Sequence, residues 1–174
     1  MSNNIKSLIR DIIIVLVVVL VVTFFIKPII VKQTSMTPTL QENNYLFVSK
    51  QAYRFSDPKR GQIIVFPTDA NGEEELYIKR IIGLPGDTID IKDGEVYVNG
   101  DKKNQDYTRD GYTPGDVDSF KVPEGQLYVM GDNRVDSIDS RYEEIGTVSI
   151  DEVTGVAFLR LWPLNEIGFL KVEK

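Results

Sequence analysis

Ile89-Asp90-Ile91-Lys92-Asp93-Gly94-Glu95-Val96-Tyr97-Val98 reads as a β-hairpin from its own chemistry. Asp93-Gly94 can supply the positive φ angles of a two-residue turn, and alternating side chains flank it. Working outward from this hairpin, residues 45–50, 62–66 and 75–82 on one side are short β-rich runs separated by polar or Gly/Pro clusters. Residues 126–130, 146–150 and 155–162 on the other side read the same way. No amphipathic helical window of useful length follows residue 40. The expected fold class is mainly β: an antiparallel sheet domain over 32–174, with the polar segment 99–123 as a surface excursion or small cap.

The N-terminal part has a different character. Residues 12–26 run Ile-Ile-Ile-Val-Leu-Val-Val-Val-Leu-Val-Val-Thr-Phe-Phe-Ile without a charge. As a helix they reach only ~22 Å against a hydrocarbon core of ~30 Å. Extension across Lys27 and Pro28 to Val31 closes the gap, with Lys27 snorkelling to the interface. A soluble core helix should carry a polar face, and this run has none. A cleaved leader needs small residues at its cut, which Phe24-Phe25-Ile26-Lys27-Pro28 does not offer. Residues 1–31 are therefore expected to form a short N-terminal tip and a transmembrane anchor in the lipid bilayer. Lys6 and Arg10 before the span balance Lys27 and Lys32 after it, so charge alone leaves the orientation open. Chain length beyond Val31 places Ser35 within ~13–14 Å of the end of that span.

Composition narrows the chemistry. The 174 residues carry a net charge of −6, which argues against a nucleic-acid footprint. There is no Cys and no His, which removes thiol nucleophiles, Ser-His-Asp triads and the commonest transition-metal ligands. No metal and no cofactor is expected. A serine hydroxyl needs an adjacent base to act as a nucleophile, so a serine enzyme here must use a lysine or a carboxylate.

Ser35, in Gln33-Thr34-Ser35-Met36-Thr37-Pro38-Thr39-Leu40, is the candidate nucleophile. Lys79 lies in the strand-like run Leu76-Tyr77-Ile78-Lys79-Arg80-Ile81-Ile82, where alternation groups it with Tyr77 and Ile81 on one face. Desolvation there would lower its pKa toward that of a general base. Alternatively it is an edge-strand charge that discourages aggregation. The dense polar run Gly131-Asp132-Asn133-Arg134-Val135-Asp136-Ser137-Ile138-Asp139-Ser140-Arg141 is either a solvated turn or a scaffold of paired carboxylates and guanidiniums.

Three stretches, in this order behind an N-terminal anchor, resemble the successive motifs of bacterial type I signal peptidases. They are Ser35-Met36-x-Pro38-Thr39-Leu40, the stretch Tyr77-Ile78-Lys79-Arg80-Ile81-Ile82-Gly83-Leu84-Pro85-Gly86-Asp87, and Gly131-Asp132-Asn133-Arg134-x-x-Ser137-x-Asp139-Ser140-Arg141. Gly155 to Pro163 is similar to that family's closing strand, and the short single-anchor chain resembles the compact form of many Gram-positive bacteria. The resemblance implies a serine endopeptidase that removes signal peptides from exported preproteins through an acyl-enzyme, with the N-terminus cytoplasmic and the β-domain extracytoplasmic. Ser35 would be the nucleophile and neutral Lys79 the base, with Ser137 hydrogen-bonded to the Lys79 amine. Asp139 with Arg141, and Asp132 with Arg80, would be bracing ion pairs, and Met36 would face substrate. The Ser35 N–H would be one oxyanion donor. Gln33 stands where the family carries a hydroxyl or a glycine, and its amide is a candidate for the second donor.

Two other readings compete. Ser56-Asp57-Pro58-Lys59 matches the Ser-x-x-Lys of penicillin-recognising enzymes, but Pro58 would break the helix on which that spacing works. A catalytically inactive, membrane-tethered preprotein-binding paralogue would keep the fold and leave the pKa of Lys79 unperturbed.

Overall fold

The computed structural model describes residues 2–69, 72 and 74–172. Helix α1, Ser2–Phe25, contains a 21-residue apolar span, Ile5–Phe25, whose side chains are exposed to the surroundings rather than packed on the domain. At 1.5 Å per residue that span is ~31 Å long, enough for a bilayer core. The missing length thus comes from the N-terminal side, not from Lys27 to Val31. Ile26–Ile30 is instead a strand, β1, paired along its whole length with β2, Tyr45–Ser49. Its isoleucines favour extended backbone, and Pro28, which has no N–H to donate, is accommodated because β1 is an edge strand. The anchor therefore runs into the sheet without a linker.

After the one-turn helix α2, Ala52–Phe55, the chain forms β3, Ile63–Thr68, and β4, Glu75–Gly83. The expected hairpin is present as β5, Thr88–Lys92, and β6, Glu95–Val98, with Asp93 and Gly94 at φ 54° and 78°. Then come β7, Asp101–Lys102; β8, Val117–Lys121; β9, Gln126–Met130; β10, Val148–Ser149; β11, Gly155–Trp162; and β12, Gly168–Phe169. The strand expected over 146–150 shrinks to two residues, because Ile150–Glu152 turns into a 3₁₀ helix.

All pairings are antiparallel. The large sheet has the order β1-β2-β11-β3-β4-β9-β10, with β12 added to β11, and a second sheet has the order β7-β6-β5-β8. One core cluster, around Met36, Leu40, Leu46, Val65 and Ile78, packs beneath the Ser35 turn. A second, with Ile64, Tyr77, Ile81 and Val129, fills the other side of the large sheet. Ile82, Ile89, Val96 and Tyr128 join the two sheets. Gly83 marks that junction, because a Cβ there would lie 2.8 Å from Ile89 Cδ1 and 3.0 Å from Val122 Cγ2.

The segment 99–123 is more than a surface excursion. Gln105, Thr108 and Thr113 are buried; Gln105 and Thr113 accept hydrogen bonds from Arg134 of the 131–141 loop, and Thr108 donates to Gln105 O. Polarity misleads here because each of these groups is hydrogen-bonded inside the protein, which removes the cost of burying it.

Candidate active site

Lys79 sits in the middle of the large sheet, on β4 between β3 and β9, and is only 1% exposed. An edge-strand role is excluded by that position. Its Nζ is 2.7 Å from Ser35 Oγ and 5.0 Å from the centroid of the Tyr77 ring. Burial lowers its pKa to about 8; Asp139 and Asp132 pull the value back up, and Arg141 pulls it further down. An amine with that pKa is partly neutral near pH 8 and can accept a hydroxyl proton.

Ser35 is held by its neighbours in a turn. Thr37 N–H donates to Thr34 O at 3.0 Å, and Leu40 N–H donates to Met36 O at 2.8 Å. Met36 plugs the turn into the core at 1% exposure. Across the site, Asn133 N–H donates to Ser35 O at 3.0 Å, and Asn133 Nδ2 donates to Thr34 O at 3.4 Å. Asn133 thus ties the Ser35 turn to the 131–141 loop, a role that nothing in its local sequence announces.

That loop is a scaffold, not a solvated turn. Asp132 and Arg80 form a two-bond pair, Nε to Oδ1 at 2.8 Å and Nη2 to Oδ2 at 2.6 Å, and both are buried. Asp139 pairs with Arg141 in the same geometry at 2.8 and 2.9 Å, and its Oδ2 also accepts from Gly131 N–H at 2.9 Å. Arg141 further donates to Arg134 O at 2.7 Å and Pro114 O at 3.1 Å. Arg134, buried, donates from Nε to Gly131 O at 2.9 Å and reaches Gln105, Thr113 and Tyr107 of the cap. The Tyr107 ring lies beneath the Arg80 guanidinium at 4.6 Å and that of Arg134 at 5.8 Å. The contribution of Gln105, Tyr107 and Thr113 was not visible in sequence because they lie more than 17 residues from the loop they brace.

Ser137 is brought to the site but does not make the expected bond to Lys79. Its Oγ is buried and has no hydrogen-bond partner among the described residues. Gly131 explains how closely the parts approach. A Cβ there would fall nearer to Ser35 O and to Ser137 Oγ than real Cβ atoms are found. Gly131→Ala is expected to displace the Ser35 turn, cost about 1–3 kcal/mol of stability, and reduce turnover far more than that loss of folded protein accounts for. Steady-state kinetics and urea unfolding of the same preparation check both halves.

Gln33 lines the approach to Ser35, and its amide donates to Glu75 Oε2 at 3.3 Å. A groove of about 750 Å³ runs past Ser35 between residues 27–33 on one wall and Glu74, Glu75, Leu76 and Ile78 on the other. Met36 lines its floor. Among the described residues no cluster of acidic side chains has the makings of a metal site. Ser56 of the competing Ser-x-x-Lys reading is exposed, and its Oγ donates to the carbonyl of Ala52, the first residue of α2.

The family profile described as "Signal peptidase, peptidase S26" matches residues 5–162. A protein of Synechocystis named probable signal peptidase I-2 is 44% identical over 154 residues, covering 85% of this chain and 68% of that protein. Signal peptidase I P of Bacillus subtilis subsp. natto is 40% identical over 181 residues, covering 97% and 95%. A solved signal peptidase I of Enterococcus faecalis is 35% identical, covering 58% of this chain and 97% of that one, with a TM-score of 0.49. With most of its length matched by the profile and by relatives at this identity, the chain belongs to the signal peptidase family, peptidase S26.

Proposed function

We propose that this membrane-anchored S26 peptidase removes signal peptides from exported preproteins with Ser35 as nucleophile and Lys79 as general base. The observation that carries the reading is the 2.7 Å approach of a buried Lys79 amine to Ser35 Oγ. Neutral Lys79 takes the Ser35 proton as Oγ bonds to the scissile carbonyl carbon, giving a tetrahedral oxyanion. The new ammonium returns that proton to the leaving amine as the peptide C–N bond breaks, leaving an acyl-enzyme. Lys79, neutral again, takes a proton from water, whose oxygen attacks the ester, and gives it back to Ser35 Oγ as the signal peptide leaves with a new C-terminal carboxyl group.

The Ser35 N–H is the first oxyanion donor in this proposal. Gln33 becomes the second only when its amide leaves Glu75 and swings toward the site. Substrate lies as an extended strand in the groove beside β1, where the free strand edge can supply main-chain hydrogen bonds. Small residues, typically Ala, at the first and third positions before the cut suit the shallow apolar floor. Ser137 acts as a rotatable hydroxyl whose oxygen accepts a hydrogen bond from the Lys79 ammonium once the proton has moved. The N-terminus of α1 is cytoplasmic and the β-domain extracytoplasmic.

Activity should rise as pH increases through about 8, the value that burial gives Lys79, because the protonated amine cannot accept a proton. Single-turnover cleavage across pH 6–10 tests this. An acid limb that stays in place when the Lys79 surroundings are altered, for example by Tyr77→Leu, assigns the limb to another group.

A further inference from the structure

Lys50 helps fasten the end of the membrane helix to the sheet. Lys50 N–H donates to Phe25 O at 2.9 Å, and Lys50 Nζ donates to Thr23 O at 3.2 Å. Helix C-terminal carbonyls have no intrahelical partner and carry partial negative charge, so a lysine donating twice there satisfies and complements them. At the edge of a bilayer an unmet carbonyl is costlier still, which makes this clasp hard to open.

The sheet carries the constraint onward. Ile26, the first residue after the helix, pairs with Ser49. Ser49 also pairs with Val156, Val156 with Ile64, and Ile64 with Lys79. One continuous rung therefore crosses five strands from the exit of the anchor to Lys79. Four steps of ~4.8 Å make it roughly 19 Å long. A ladder of this kind resists sliding, because a slip of one residue would turn every side chain to the wrong face.

We infer that Lys50 and this rung fix the height of the Ser35–Lys79 pair above the membrane, so that the enzyme selects membrane-inserted polypeptides by the spacing between their apolar segment and the scissile bond. The inference rests on the proposed signal-peptide cleavage. Lys50 is a positioning residue in this scheme: it does not line the groove or touch the reacting atoms.

The test uses the full chain in liposomes and a set of membrane-inserted polypeptides that differ by single residues in that spacing, together with a soluble peptide carrying the same cut. Wild type should show a sharp optimum, losing at least ~10-fold when the scissile bond is displaced by three residues, ~10 Å of extended chain. Insertion of Gly-Ser-Gly between Phe25 and Ile26 should flatten or shift that optimum by about three positions while leaving soluble-peptide turnover within about 3-fold. Lys50→Ala should broaden it, and Lys50→Arg should restore it. An unchanged optimum in the insertion variant overturns the inference and leaves the proposed cleavage standing. So does an equal loss on both substrates, since the joint would then act on the catalytic pair itself. Failure of wild type to cut any inserted polypeptide removes the cleavage reading, and the inference with it.

Discussion

Lys79→Met is expected to abolish cleavage and to stabilise the protein. Methionine fills nearly the same volume as lysine but cannot accept a proton, so the Ser35 hydroxyl is left without a base. Loss of a base and the concerted chemistry it supports lowers turnover on the order of 10⁴-fold or more. The stability change has the opposite sign. Burial holds the Lys79 pKa at about 8, well below the ordinary lysine value of 10.5, which means that the folded state disfavours the charged amine. At pH 7 the full penalty is present. It is relieved as pH rises from about 8 toward 10.5, where the unfolded chain still binds a proton that the folded one has released. Replacing a buried charge with an apolar side chain of similar size commonly gains about 1–3 kcal/mol. Urea unfolding at pH 7 and pH 10 should show the variant more stable at the lower pH, with the difference shrinking at the higher. A less stable variant at pH 7 would mean that Lys79 is a net structural cation held by Asp139 and Asp132.

Asp132→Ala should be among the most destabilising single changes. It removes both carboxylate oxygens from Arg80, a guanidinium 1% exposed on β4. Removing one partner of a buried ion pair costs about 3–5 kcal/mol, a large part of the 5–15 kcal/mol typical of a domain. Arg80 would keep its bond to Gly61 O, its contact with the Tyr107 ring and its bulk, but a carbonyl and a ring do not replace the two-bond carboxylate. The double replacement Arg80→Met, Asp132→Leu should recover most of the loss, because an apolar pair needs no compensation. Equal destabilisation in single and double variants would show that packing around Tyr107, not the ion pair, is what matters.

Much of this was legible in sequence where the information is local. Asp93-Gly94 between alternating residues is enough to build the β5–β6 hairpin, and the uncharged run before Lys27 is enough to place a membrane helix. The pairing of Asp132 with Arg80 and of Asp139 with Arg141 followed from resemblance, not from spacing. The end of the anchor was misjudged because Pro28 is compatible both with a helix end and with an edge strand, and only the partner strand 45–49 decides between them. Thr113 and Gln105 were invisible for a related reason. Their polarity reads as exposure until Arg134, contributed by a distant loop, supplies the hydrogen bonds that permit burial. The unpartnered Ser137 hydroxyl depends on rotamers and sub-ångström spacing that no sequence pattern encodes.

The central claim is that Ser35 is the nucleophile of a signal-peptide-cleaving enzyme. It is tested most directly by presenting a membrane-inserted preprotein to the full-length wild type and to Ser35→Ala, and mapping any new N-terminus by mass spectrometry. The account predicts one cut by wild type, after a small residue, and none by Ser35→Ala at equal levels of folded protein. The same cut made by Ser35→Ala at a comparable rate would contradict it.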